Sequence, residues 1–247
     1  MSERNGHRLG VIAAMHEEAE ALFERLDARG ERVHSGRRDF LLAHTGKREV
    51  VVVVSRVGKA SAAATAAELI VGFGVDELLV TGVAGGIGAG VGVGDVVVAD
   101  ALMHHDLDAR PLWPRHVVPL LELDRFETDR RLADELEASA RAFLSRRGDG
   151  RSVHRGLVAT GDQFIGSAEA SGAVRGLLPE ALCVEMEGAA VAQVATEHGV
   201  PFGVVRAISD RADGDSRGHF VESLAGFAAE YALGVALPLI EHEADLG

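Results

Sequence analysis

Three groups of carboxylates stand where short apolar runs give way to helical spacing. Glu17 and Glu18 follow "GVIAAMH", Glu185 and Glu187 lie one residue apart in "CVEMEGAAV" (183–191), and Asp210 closes "VVRAISD". A carboxylate in apolar surroundings is costly unless it is paired or takes up a proton, so each of these has either a partner or a task. The tasks open to such a group are moving a proton and opposing a positive charge. Each group also has a structural reading. Glu17 and Glu18 complement the dipole of a helix start, Asp210 serves as a cap or turn residue, and Glu185 or Glu187 forms a buried ion pair with Arg206. All three groups follow strands, however, and an α/β sheet gathers its ligands at the carboxyl ends of its strands.

The elements that would position these acids follow from periodicity. Runs rich in Val and Ile predict strands at 9–14, 38–44, 49–55, 77–82, 95–101, 154–160, 181–185 and 202–208. Helical spacing covers 17–28, 59–72, 128–146, 167–177, 187–198 and 220–241. Their alternation predicts a single α/β domain over 1–247, a central mixed β-sheet flanked by helices, with 1–8 and 243–247 as tails. Residues 147–153 read as an exposed loop. Residues 107–124, "LDARPLWPRHVVPLLELD", hold three prolines and the only tryptophan, and predict an ordered but irregular excursion of the kind that walls a site or an interface.

Two motifs point toward cofactors and fail on their surroundings. "GVAGGIGAGVGVG" (82–94) places seven glycines in thirteen residues after a strand. A dinucleotide fingerprint needs a helix next, but the next element is the strand "DVVVAD". The glycines serve either backbone turns with positive φ or a close approach of backbone amides to a flat or anionic ligand. "SRVGKASAA" (55–63) is a strand, a turn and a helix start, without the spacing of a triphosphate-binding loop. In "MHHD" (103–106) adjacent histidines on a strand face opposite ways and do not share a metal.

The formal charge of −13 disfavours nucleic acid, and no basic stripe interleaved with aromatics is present. No apolar run reaches the length of a membrane span, and the start "MSERNGHRLG" is polar where a signal peptide is apolar. The single cysteine, Cys183, reads as a small buried residue and excludes an internal disulfide. The expectation is a cytoplasmic protein.

"GVIAAMHEE", "SRVGKASAA", "TGVAGGI", "VGDVVVAD", "ATGDQFI", "VEMEGAAVA" and "RAISDRAD" occur in an order and spacing that resembles the purine nucleoside phosphorylase superfamily. Within it the chain is most similar to the 5′-methylthioadenosine/S-adenosylhomocysteine nucleosidases, over about residues 9 to 240. The resemblance implies cleavage of the N-glycosidic bond of an adenine nucleoside through a ribosyl cation-like transition state. It implies that Asp210 protonates or hydrogen-bonds adenine N7, oriented by Ser209. Glu187 accepts a hydrogen bond from the ribose 2′-hydroxyl, Met186 packs on the sugar, and Glu185 supports the ribose side. Glu18 is the general base for the attacking water. Phe164 stacks on adenine, whose backbone partners come from Phe164 and Ile165, and Phe220 lines the ribose and 5′ region. Val83, Ala84 and Gly85 of "TGVAGG" complete the substrate contacts, with Val83 standing where many relatives carry serine. No metal or organic cofactor is implied, and a homodimer is.

A carboxylate after the first strand would repel phosphate and activate water, and Arg56 and Arg206 alone do not make a phosphate-binding cluster. Hydrolysis is therefore expected. The alternatives are a purine nucleoside phosphorylase, or a hydrolase of another 5′-modified purine nucleoside such as futalosine. A silent nucleoside-binding protein would have lost Glu18, Glu187 or Asp210, and all three are present. Residues 107–124 depart from the pattern of the best-known bacterial enzymes, in a region that helps close the 5′ pocket in the family.

Overall fold

β-branched side chains fit the pleated, two-sided environment of a covered sheet, and here they build its centre. The computed structural model describes residues 7–46, 48–213, 218 and 227–241. Its first half runs β1 (Arg8–Ala13), α1 (His16–Asp27), β2 (Gly30–Ser35), β3 (Arg38–Thr45), β4 (Arg48–Val54), α2 (Lys59–Ala67) and β5 (Glu77–Gly86). The remainder runs β6 (Val96–His104), β7 (Phe126–Glu127), α3 (Arg130–Arg147), β8 (Val153–Thr160), α4 (Ala168–Leu177), β9 (Ala181–Glu185), α5 (Gly188–His198) and β10 (Phe202–Asp210). Two short helices, α6 (Ala228–Tyr231) and α7 (Leu237–Glu241), are joined by a π-helical turn, Ala232–Ala236.

The sheet is mixed, as its sequence predicts, but it also closes on itself. β10 pairs with both β5 and β6, β6 continues through β8 to β9, and β9 returns antiparallel to β5. β1 lies parallel to β5 from Leu9↔Glu77 to Ile12↔Val80 and carries β4, β3 and β2 outward. β5 is thus paired with β1 along its first part and with β9 only at Gly85 and Gly86. Between those contacts its edge is open, and the candidate site forms there.

Helices cover both faces. Leu22 and Leu26 of α1, Leu132 and Leu136 of α3, and Val235 and Leu239 near the end of the chain pack one side. Ala62 and Ala66 of α2 with Ala189, Ala192 and Ala195 of α5 pack the other, where small side chains let the two helices sit close to the sheet. The capping signals are local: Asp129 accepts from the Leu132 amide at 3.0 Å, and Gly148 ends α3 at φ 66°.

Several sequence expectations need correction. β5 extends to Gly86 rather than ending at Gly82, so the first glycines of the rich stretch are strand and not loop. β2 escaped detection because "GERVHS" is polar and largely exposed at the sheet edge. Residue 8 is not part of a tail: its N–H donates to Asp76 and its Nε to Glu49, both at 2.8 Å, at the start of β1. The helix expected at 59–72 is α2 continued by a π-helical turn, Glu68–Gly72. Of the helix expected at 220–241, the part through 226 lies outside the described residues, as does Phe220. Segment 107–124 is a series of turns with one bridge, Val118↔Leu123, followed by the short strand β7.

Candidate active site

Glu18 is the third residue of α1, yet it is buried. Its Oε2 accepts from the backbone N–H groups of Ala14 at 2.8 Å and Met15 at 2.9 Å, which satisfies donors left free at a helix start. Its Oε1 accepts from the Val83 amide of β5 at 2.9 Å. That amide lies in the open stretch of β5 beyond its pairing with β1, so the carboxylate takes the place of a neighbouring strand. Burial holds the Glu18 pKa above the ordinary glutamate value, partly opposed by the Arg206 charge and the three amides. Glu17, one residue earlier, is exposed and sits in the first turn of α1 without needing the buried partners that Glu18 has.

Arg206 is the buried cation around which the other acids assemble. It lies opposite Gly82 in the β10–β5 register. Its Nη2 pairs with Glu185 Oε2 and lies 3.6 Å from Glu187 Oε2. Glu185, at the end of β9, is saturated. The Thr160 hydroxyl donates to its Oε1, and the amides of Glu187 (3.0 Å) and Gly188 (2.7 Å) donate to its Oε2. It therefore holds the start of α5 in place. Glu187 is freer: the Gly58 amide donates to its Oε1 at 2.8 Å. Burial and the adjacent Glu185 push the Glu187 pKa up to about 7 despite Arg206.

Asp210 sits at the end of β10, buried. Its Oδ1 accepts from the Ala212 amide and its Oδ2 from the Ser209 hydroxyl, both at 2.8 Å. The Ser209 hydroxyl also lies 3.2 Å from the Ala84 carbonyl. Having one proton, it donates to the carboxylate when Asp210 is ionised and can turn to Ala84 when Asp210 carries a proton. This pair can therefore adapt to either protonation state.

These groups surround one cavity of about 330 Å³. Every site residue named from the sequence that lies among the described residues lines it. Phe164, half-exposed, stands at its edge beside buried Ile165. Sequence reasoning missed Ala14, Met15, Val57, Gln163 and Val184, which also line it. All five lie inside motifs already singled out, "GVIAAMHEE", "SRVGKASAA", "ATGDQFI" and "VEMEGAAVA", but which way each side chain faces was not readable there. Cys183 is buried, and burial pushes its thiol pKa up, so it stays a neutral thiol.

The histidines of "MHHD" face apart. His104 Nε2 lies 3.2 Å from Gln193 Oε1, while His105 is packed against Gly161. Among the described residues no cluster of three or more His, Cys, Asp or Glu is placed to hold a metal ion, and no helix is long and apolar enough to cross a membrane.

A mixed sheet curled into a closed circuit, helices on both faces and an acid-lined cavity at the opening between β1 and β9 define a nucleoside phosphorylase-like α/β protein. The model of the phosphorylase superfamily matches residues 8–236. The chain belongs to that superfamily and, within it, to the 5′-methylthioadenosine/S-adenosylhomocysteine nucleosidase family. It is 35% identical over 230 residues to the nucleosidase of Geobacillus thermodenitrificans, covering 92% of this chain and 94% of that protein. The crystal structure of the Neisseria meningitidis nucleosidase, in complex with methylthio-immucillin-A, superposes with a TM-score of 0.87 at 34% identity, covering 95% of this chain and 98% of that one. The Streptococcus pneumoniae nucleosidase with a transition-state inhibitor gives a TM-score of 0.86 at 34% identity, covering 95% and 98%.

Proposed function

We propose that the protein hydrolyses the N-glycosidic bond of 5′-methylthioadenosine and S-adenosylhomocysteine, releasing adenine and the corresponding thioribose. The observation that carries this reading is the charge of the cavity. Glu18, Glu185, Glu187 and Asp210 line it, and among its described lining residues there is no lysine or arginine. Such a wall favours a cationic ribosyl transition state and disfavours an anionic nucleophile. Arg206 supports hydrolysis too, because it is buried and committed to Glu185 and Glu187 rather than turned toward a phosphate.

In this reading the C1′–N9 bond breaks with its electron pair leaving on the purine. Asp210 delivers a proton, or a strong hydrogen bond, at N7, and Ser209 steadies the carboxyl group. Phe164 stacks on the base, with Phe164 and Ile165 supplying backbone partners. Glu187 accepts the 2′-hydroxyl, Met186 packs on the sugar, and Glu185 supports the ribose side by fixing Glu187 and Arg206. Glu18 takes a proton from the water whose oxygen bonds to C1′. Its raised pKa suits it to accept that proton. Val83, Ala84 and Gly85 form the floor beside Glu18 and Asp210, and Phe220 completes the 5′ side.

The protein works as a cytoplasmic homodimer in this proposal. Support for the dimer is the exposure of Leu112 and Leu120 on the irregular segment 107–124. The deciding experiment incubates the purified protein with 5′-methylthioadenosine, with and without phosphate, and identifies both products. Adenine and methylthioribose formed without phosphate are expected. Methylthioribose-1-phosphate formed only with phosphate would make the enzyme a phosphorylase.

A further inference from the structure

A second cleft, of about 550 Å³, opens beside the reaction cavity between the outer face of α1 and the β2–β3 hairpin. The two share a rim. Met15 and Val57 line the reaction cavity, while their immediate chain neighbours His16 and Arg56 line the cleft. This rim lies on the sugar side of the cavity: Glu187, assigned to the ribose, is bonded to Gly58, the residue after Val57.

Most charges in the cleft are sorted by wall, the exception being Asp39 on the β3 wall, which is bonded to His34 at 2.8 Å. Glu17, Glu20 and Glu24 of α1 stand on one side, and Arg37, Arg38 and Arg56 on the other. At one end an ion pair, Arg32 to Asp27 at 3.0 Å, joins the two walls. Nearer the rim, among the described residues, Glu17, Glu20, Arg37 and Arg56 make no ion pair. Arg56 instead donates to the Arg37 backbone carbonyl, which holds it on its own wall. Both of these arginines have left-handed backbones, φ 74° at Arg56 and φ 62° at Arg37, which is a costly conformation for residues with a side chain. Opposite charges held apart across a gap suit a ligand that carries both signs close together, and the headgroup of an α-amino acid does so.

We infer that this cleft binds the zwitterionic amino-acid end of a 5′-thio substituent, with the carboxylate on Arg37 and Arg56 and the ammonium on Glu17 and Glu20. The inference rests on the proposed nucleosidase function and gives it a specificity-determining subsite. S-adenosylhomocysteine carries such an end, and 5′-methylthioadenosine does not. The guanidinium groups lie outside the reaction cavity, so they recognise the tail without bringing an anion to C1′.

The test compares kcat/KM for the two nucleosides in the wild type, in Arg56→Gln and in the double variant Glu17→Gln/Glu20→Gln. In each variant the ratio for S-adenosylhomocysteine over 5′-methylthioadenosine is expected to fall about tenfold, the scale of one charge-assisted hydrogen bond. The two glutamates are exposed, so their variant tests the subsite even where loss of Arg56 disturbs its loop. An unchanged ratio in both variants, with methylthioadenosine still cleaved, overturns the subsite and leaves the nucleosidase reading standing. A phosphate-dependent ribosyl phosphate product that disappears in Arg56→Gln also overturns it, by assigning these arginines to a nucleophile. A wild type that cleaves neither nucleoside removes the functional reading, and the subsite with it.

Discussion

The Glu18 carboxylate accepts the Val83 amide at 2.9 Å across 65 positions of chain, at the place where β5 has lost β1 as a partner and has not yet met β9. One side chain thereby completes the sheet's hydrogen bonding and offers a base to the cavity. Glu18→Gln keeps the shape but turns an NH2 group toward at least one of three amide donors. Turnover of 5′-methylthioadenosine is expected to fall on the order of 10³-fold. Stability should fall by about 1–3 kcal/mol. Steady-state kinetics alongside a thermal melt separate the two, and a variant with wild-type kcat would remove Glu18 from the mechanism.

Gly82 is the point where Glu18 and Arg206 approach the same backbone. A Cβ there would lie 2.6 Å from Glu18 Oε1 and closer still to Arg206 Nη1. Gly82→Ala should therefore cost about 1–3 kcal/mol by overpacking. It should also lower kcat, because the strain falls on the two charged groups. A melt and an activity assay on this variant test the point, and unchanged values in both would show that the pair has room to move.

This crowding also marks the limit of what the sequence disclosed. The buried acids were legible because Glu18, Glu185, Glu187 and Asp210 interrupt apolar runs, where a carboxylate needs a reason. The strands were legible wherever Val and Ile repeat. The last part of β5, Val83–Gly86, was not legible as strand, since the glycines that flank and end it have no strand preference. Its reason is tertiary, the close approach of Glu18 and Arg206 at Gly82 and of Asp210 at Gly85. The buried ion pair of Glu185 with Arg206 was among the sequence readings, but its saturation by Thr160 and Gly188 was hidden, because those donors come from β8 and α5. Closure of the sheet through β9 and β10 depends on pairings between strands far apart in the chain, which local periodicity does not encode.

Glu187 gives the free enzyme a pH signature. Its pKa is about 7 in the fold, above the ordinary value of 4.5. The native state therefore binds more protons than the unfolded chain between those values, and the stability linked to Glu187 is full below about pH 4.5 and lost as pH rises through 7. Melting temperature should fall between pH 5 and about 8, and Glu187→Gln should flatten that slope. In the proposed mechanism the ionised form accepts a 2′-hydroxyl, so kcat/KM should rise over the same interval in the wild type. A slope unaltered by Glu187→Gln would assign the titration elsewhere.

The dimer makes a separate claim. Leu112 is 79% and Leu120 86% exposed in one chain, a cost that a partner subunit would remove. Replacing both with glutamate should shift sedimentation from dimer to monomer while the circular dichroism of the fold is kept. A wild type that sediments as a monomer at micromolar concentration would end the proposal.

Asp210 and Ser209 offer the sharpest division of labour. In the proposed mechanism the Asp210 carboxyl group serves the leaving base, and the Ser209 hydroxyl, which donates to it at 2.8 Å, only orients it. Asp210→Asn preserves size and the Ala212 contact through its carbonyl oxygen but has no proton of carboxylic acidity to give the leaving purine. Its kcat should fall on the order of 10³-fold with the melt little changed. Ser209→Ala leaves the acid present and the Ala212 amide still holding one oxygen, so its loss should be about tenfold. A nucleoside analogue with a better leaving base provides the check: it should recover more rate in Asp210→Asn than in Ser209→Ala. Equal recovery would mean that Asp210, too, only positions the base.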